Sequence, residues 1–190
     1  MIFKLRNKSF LLPLAMVGAA TLTMAVLSVE PAAAQSRSKG KAAASSKPKL
    51  VATFGSWGAY VAAGASKTCY ALAKPSKREP RNLNRDAGYI FISTRPRQRV
   101  RNEISIIMGY DSKPGTDPEI RIGTAKFDLV AKGSNLWIKN AAEEGPMLAA
   151  MRKGSTLAVH VTSMRGNKTV DTYSLSGVTQ ALARVASECK

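Results

Sequence analysis

The sequence predicts a mainly β domain, a β-sandwich or open barrel of about 7–9 antiparallel strands with a short helix and a C-terminal helix. From Leu50 onward, short runs rich in Val, Ile, Thr and aromatic residues are separated by turn residues, which is typical of closely spaced strands. Two later segments instead place their apolar residues at helical spacing. Residues 50–190 have the length of a single domain with one core.

The predicted strands follow one another along this domain. Turn residues separate them at residues 111–118 and at residues 165–168, and the second turn is placed to close a hairpin. The runs with strand character are residues 51–62, 68–74, 88–94, 102–110, 119–131, 134–140, 155–164 and 168–175.

Residues 144–152 and residues 176–188 predict helices. Pro146 stands near the start of the first helix, and Ser176 is a candidate N-cap of the second. We expect the second helix to pack on the sheet as a terminal helix. The apolar positions at helical spacing are Met147, Leu148 and Met151 in the first segment and Val178, Leu182 and Val185 in the second.

Residues 1–34 predict a signal peptide that is cleaved before Gln35. Three bases precede an uncharged apolar stretch, residues 10–29, and alanines at 32–34 suit a peptidase. The alternative is a transmembrane anchor over residues 9–29, which its length permits. Cleavage predicts a periplasmic or secreted protein without a membrane span, either soluble or associated with the outer membrane. Lipoprotein processing is not expected, because the first cysteine of the chain is Cys69.

The chain is strongly basic, with 29 Lys and Arg against 12 Asp and Glu and a formal net charge of +17. Residues 35–49 hold basic residues, no acid and no large apolar side chain, which predicts a disordered linker. Outside the cytoplasm this charge predicts attraction to anionic envelope polymers, lipid headgroups or the host surface, and not to nucleic acid. Alternatively, the charge only keeps an exported protein soluble.

Cys69 and Cys189 are the only cysteines, and in an exported chain two cysteines predict a disulfide. A redox-active pair is not expected, because the close Cys-X-X-Cys spacing is absent. The bond would hold the C-terminal segment to the rest of the domain.

Four arginines form the candidate anion-binding site: Arg95, Arg97, Arg99 and Arg101. In an extended segment a period of two places all four guanidinium groups on one side, where their forks can bind phosphate or carboxylate. Lys77, Arg78, Arg81 and Arg85 in the preceding polar stretch could add to the same field. The alternative is a pair of solvated loops, since Pro96 disfavours a central strand.

No catalytic or metal site stands out, so the sequence predicts a non-enzymatic protein without a cofactor. Strand alternation turns His160, the only histidine, away from the core, although Asp171 on the next strand could in principle pair with it. Asp111, Asp117 and Glu119 lack the ligand spacing of an EF-hand. Trp57 and Trp137 could stack on sugars, but aromatic residues in strands more often pack in the core.

Three pieces in order resemble the invasion-associated locus B family of exported bacterial proteins. They are Phe54-Gly55-Ser56-Trp57, Lys67-Thr68-Cys69-Tyr70-Ala71-Leu72 and the segment from Tyr173 to Leu182, YSLSGVTQAL. The resemblance implies a β-rich secreted or periplasmic protein linked to host-cell invasion or to a general envelope role, and it supplies no catalytic residues. Together with the charge, it favours binding of anionic polymers, with a periplasmic adaptor or chaperone-like module as the alternative.

Overall fold

The computed structural model describes residues 47–190. The predicted signal peptide and residues 35–46 of the predicted linker lie outside the described residues. Within 47–190 there are eleven strands and two α-helices, and the first strand begins at Lys49. The strands are β1 (Lys49–Phe54), β2 (Trp57–Ala62), β3 (Thr68–Ala73), β4 (Lys77–Glu79), β5 (Tyr89–Arg95), β6 (Val100–Ile107), β7 (Glu119–Ile122), β8 (Ala125–Lys132), β9 (Asn135–Ile138), β10 (Thr156–Thr162) and β11 (Lys168–Ser174), and the helices are α1 (Glu144–Lys153) and α2 (Val178–Glu188).

The strands form one antiparallel sheet that is not closed, in the order β1-β2-β3-β5-β6-β9-β8-β7-β10-β11-β4. The predicted fold class is therefore confirmed, but the strands are more numerous than expected. Two predicted runs each divide at a tight turn, at Gly55 (φ 53°) and at Gly123 (φ 57°). The strand β4 was not expected, because its sequence Lys-Arg-Glu carries no apolar signal.

The strand β8 joins the two parts of this sheet. Its first half, from Ala125 to Asp128, pairs with β7, whereas its second half, from Leu129 to Lys132, pairs with β9. A strand that switches partners at its middle lets one hydrogen-bonded sheet curve around one core. The strands thus form one continuous sheet and not two separate ones.

Both predicted helices are present and bury the predicted apolar residues. Met147, Leu148 and Met151 of α1 are buried, as are Val178, Leu182 and Val185 of α2. The helix α2 packs on β1, β2 and β3. The N-cap of α2 is Gly177 and not Ser176, because the chain enters the helix through a left-handed residue (φ 92°) that glycine adopts without strain.

The predicted disulfide is confirmed. Cys69 on β3 is bonded to Cys189, which directly follows α2, with the two Cα atoms 5.9 Å apart. Both residues are buried. Among residues 47–190, no helix has the length and apolar character that crossing a membrane requires.

Candidate functional site

The four candidate arginines lie around a reversal of the chain, not along one extended segment. The strand β5 ends at Arg95, a 3-10 turn spans Pro96–Gln98, and β6 begins at Val100. Pro96 suits the first position of this turn because its φ is fixed and it needs no hydrogen-bond acceptor. The prediction that a period of two aligns all four guanidinium groups is therefore wrong. We call residues 95–101 the basic hairpin.

Arg95 is engaged within the protein. Its Nη2 lies 2.7 Å from Glu103 Oε2 on β6, and its Nε donates to Gln98 Oε1 at 2.7 Å. These bonds tie the two strands of the basic hairpin across the turn. Arg95 thus positions the hairpin, and its charge is already paired.

Arg97, Arg99 and Arg101 are exposed. Arg97 donates from Nη1 to the carbonyl oxygen of Ala65, which attaches the turn to the neighbouring loop. No carboxylate within residues 47–190 forms an ion pair with any of these three guanidinium groups. They can therefore donate hydrogen bonds to an external phosphate or carboxylate without first breaking an internal ion pair.

The base of the basic hairpin is held by the C-terminal end of the chain. Cys189 Sγ lies 3.7 Å from the carbonyl oxygen of Thr94, the residue before Arg95. Lys67 donates from Nζ to the carbonyl oxygen of Glu188 at the end of α2. The disulfide and this lysine fasten the loop, the helix end and the hairpin to one another.

Arg78 and Arg85, which the sequence suggested as additions to the candidate anion-binding site, lie away from the basic hairpin. Both turn inward to Asp171 on β11, with Arg78 Nε 2.9 Å from Oδ2 and Arg85 Nη1 3.3 Å from Oδ1. The Asp171 side chain is completely buried and that of Arg85 is 6% exposed. Burial raises the pKa of the Asp171 carboxyl, and the two guanidinium groups act in the opposite direction.

His160 lies on the outward face of β10, as predicted, but it cannot pair with Asp171. In the register of β10 and β11, His160 is opposite Val170, whereas Asp171 is opposite Val159 on the buried face. The pairing of His160 with Asp171, which a Ser-His-Asp arrangement would need, is therefore excluded. Partial burial lowers the pKa of His160, Arg121 lowers it further, and Glu119 opposes both.

Glu119 and Trp57, which were also considered from the sequence, have structural partners. Glu119 is paired with Arg121 and with Lys126 Nζ at 2.9 Å, and Lys126 provides the larger effect that lowers the pKa of Glu119. Trp57 is buried and donates from Nε1 to the carbonyl oxygen of Ser174 at 2.9 Å. In the described part of the chain, no group of three acidic, histidine or cysteine side chains could hold a metal ion.

The sequence analysis did not predict which residues of β11 face the interior. It presents Thr169, Asp171 and Tyr173 to the interior, while Val170 and Thr172 face outward. The alternation of the strand was visible, but the more polar residues lie on the inner side, contrary to the usual pattern. No local pattern in β11 indicates this arrangement, because a buried aspartate requires counter-charges, and here they come from distant segments.

Comparison with known proteins supports the resemblance. Residues 141–186 match the model of the family described as Invasion associated locus B (IalB) protein. A solved structure, the crystal structure of invasion associated protein b from Bartonella henselae, aligns with a TM-score of 0.49 at 14% identity, covering 74% of this chain and 98% of that chain. No curated protein sequence matches the chain. The family model thus matches the C-terminal part of the chain, which includes the segment from Tyr173 to Leu182 that carries part of the resemblance predicted from the sequence.

Proposed function

We propose that this IalB-type chain is an exported, non-enzymatic envelope protein that binds anionic envelope or host-surface polymers through the basic hairpin. The observation that carries the proposal is the exposure of Arg97, Arg99 and Arg101 in the basic hairpin, without a paired carboxylate among residues 47–190. Cleavage of the predicted signal peptide would remove three bases and one acid, and the remaining net charge of +15 adds a long-range attraction to any polyanion. The predicted signal peptide would bring the protein to the compartment where such polymers are abundant.

The polymer would bind by electrostatic attraction to the basic hairpin, whose conformation is already fixed. The Arg95–Glu103 pair and the bond from Arg97 to Ala65 hold the turn, so little ordering is needed when a ligand arrives. Each guanidinium can donate two parallel hydrogen bonds to one phosphate or carboxylate. Because exposed charges are screened by salt, attachment should weaken as ionic strength rises.

The test is retention of the protein, purified from cells that express the full chain, on lipopolysaccharide, with neutral liposomes as the control surface. We expect retention on lipopolysaccharide that salt reverses. The triple change R97Q/R99Q/R101Q should weaken it by at least about tenfold at low salt, since three charge-assisted contacts are lost. It should also make the remaining binding less dependent on salt.

The matched control is K113Q/K132Q/K139Q, which removes the same charge from exposed lysines outside the basic hairpin. This variant should lose far less affinity. Equal losses in the two variants would show that net charge alone drives retention, and no retention of the unchanged protein would refute the proposal.

The second candidate function is an adaptor that binds another envelope protein. It is favoured by β1, an edge strand of the sheet on which Leu50 is 48% exposed. An exposed edge can pair with an added strand. Such binding would be insensitive to salt and unaffected by the arginine changes, which separates it from the first proposal.

A further inference from the structure

A cavity of about 260 Å³ lies apart from the elements of the basic hairpin. Its walls are the loop between β4 and β5, the segment that follows β6, and the turn between β10 and β11. The residues that line it are Leu83, Asn84, Arg85, Tyr110, Asp111, Ser163, Met164, Arg165, Asn167 and Thr169.

The walls of this cavity are fastened to one another by the protein itself. Asp86 N donates to Gly109 O at 3.1 Å, and Met164 N donates to Asp111 O at 2.9 Å. Arg78 adds bonds of 2.6 Å to the carbonyl oxygens of Asp86 and Met108. The cavity is thus formed before any ligand enters, which lowers the entropic cost of binding.

Arg85 and Tyr110 contribute polar groups whose positions are set from inside the protein. Arg85 is held by Asp171 Oδ1 and, through Nη2, by Pro80 O at 2.8 Å. Thr169 donates from Oγ1 to Val161 O at 3.0 Å, so in its short hydrogen bond with Tyr110 the tyrosine is the donor. The phenolic oxygen of Tyr110 keeps a lone pair with which it can accept a hydrogen bond from a ligand.

Four further polar side chains reach the cavity without an internal partner. Within residues 47–190, no hydrogen bond or ion pair engages the side chains of Asn84, Asp111, Arg165 or Asn167. The amides both donate and accept, the carboxylate accepts and the guanidinium donates. A ligand whose groups donate and accept at neighbouring positions can satisfy all of them.

We propose that this cavity binds one neutral sugar ring of an envelope glycan. Vicinal hydroxyl groups both donate and accept, as this set of side chains requires, and Leu83 and Met164 offer apolar contact for the C–H groups of a ring. The three guanidinium groups of Arg78, Arg85 and Arg165 are accompanied by the carboxylates of Asp111 and Asp171, so the excess is a single positive charge. The basic hairpin presents three unpaired guanidinium groups, so the cavity selects an anion less strongly than the hairpin does. The volume of the cavity lies just below the roughly 300–1,000 Å³ of pockets for drug-sized ligands, which suits a single ring. This site is independent of the proposed function of the basic hairpin.

The test is a titration of the protein with glucose, galactose and N-acetylglucosamine, followed by the backbone amide signals in nuclear magnetic resonance spectra. We expect saturable shifts for residues 84, 111, 165 and 167 with at least one sugar, unchanged by added salt. Asn84→Ala should weaken this binding by about tenfold, since one pair of hydrogen bonds is lost. The matched control is Asn82→Ala in the same exposed loop, outside the cavity lining, which should bind as the unchanged protein does.

The proposal is overturned if none of the three sugars gives saturable shifts at these residues, or if N84A and N82A bind equally well. It is also overturned if inorganic phosphate, and no sugar, shifts these signals. Melting temperatures of both variants show that each is folded. Because R97Q/R99Q/R101Q leaves the cavity unchanged, its sugar titration separates failure of this site from failure of the basic hairpin.

Discussion

Asp171 shows how a single buried charge can organise several segments. Its carboxylate receives Arg78 from β4 and Arg85 from the following loop, and these arginines also bond carbonyl oxygens of Asp86, Met108 and Pro80. Taking such charges out of water is costly, so the cluster holds only while every partner is present. Asp171 therefore fixes the loop of the cavity wall that carries Arg85.

Replacing Asp171 with Asn should lower the free energy of unfolding by about 3–5 kcal/mol, because two arginines then lose their buried counter-charge. Urea denaturation measures this loss. Asp128→Asn is the control, since Asp128 is 55% exposed and 3.4 Å from Lys126, and an exposed pair contributes at most about 1 kcal/mol. Similar losses in the two variants would contradict the role assigned to Asp171.

At the scale of elements, the three pieces of sequence that carry the family resemblance meet around α2. Ser56 N on the β1–β2 turn donates to Ser176 O at 3.0 Å, and Trp57 bonds Ser174 O. The middle piece supplies Cys69, which is bonded to Cys189 beyond the other end of the helix. The attachment of the helix to the sheet therefore gives these motifs a structural role.

Gly177 allows the chain just before α2 to lie very close to Phe54 at the end of β1. A Cβ at this position would lie 1.9 Å from Phe54 O, and its φ is 92°. Gly177→Ala should therefore cost about 2–5 kcal/mol of unfolding free energy, from backbone strain together with the clash. Thermal or urea unfolding would measure it.

Gly166→Ala is the matched control for that prediction. Gly166 also has a positive φ, 83°, but a Cβ there would meet nothing within 4 Å. The Gly166→Ala change should lower the free energy of unfolding by only about 1–2 kcal/mol, which is the cost of the left-handed conformation for alanine. If Gly177→Ala costs no more than Gly166→Ala, the contact with Phe54 is not tight in solution.

At the scale of the whole molecule, the disulfide links β3 to the C-terminal end across 120 residues of sequence. A loop of this length restricts the unfolded chain strongly. In the chain-entropy model, reduction should lower the free energy of unfolding by about 4–5 kcal/mol. Urea denaturation with and without dithiothreitol measures the difference.

The variant C69A/C189A controls for effects of the reductant. It should unfold at the same urea concentration whether or not dithiothreitol is present, close to the reduced form of the unchanged protein. Equal stability of the oxidised and reduced forms of the unchanged protein would contradict the prediction that the disulfide stabilises the fold by restricting the unfolded chain.

The sequence by itself determined the features that depend on side-chain periodicity or on the number of residues of one type. Alternation and helical spacing predicted the β character and both helices, composition predicted a basic chain, and two cysteines allowed one disulfide. These properties follow from side-chain periodicity and counting, which do not depend on which strands later become neighbours.

Only the tertiary structure decided which distant residues meet. The turn at Pro96 separates the four arginines, Arg78 and Arg85 turn inward to Asp171, and β8 divides its two halves between β7 and β9. Each of these arrangements depends on a partner many residues away in the sequence, and a local sequence pattern does not identify that partner. A buried charge is stable only beside its counter-charge, so the inward face of β11 could be recognised only once the arginines were in place.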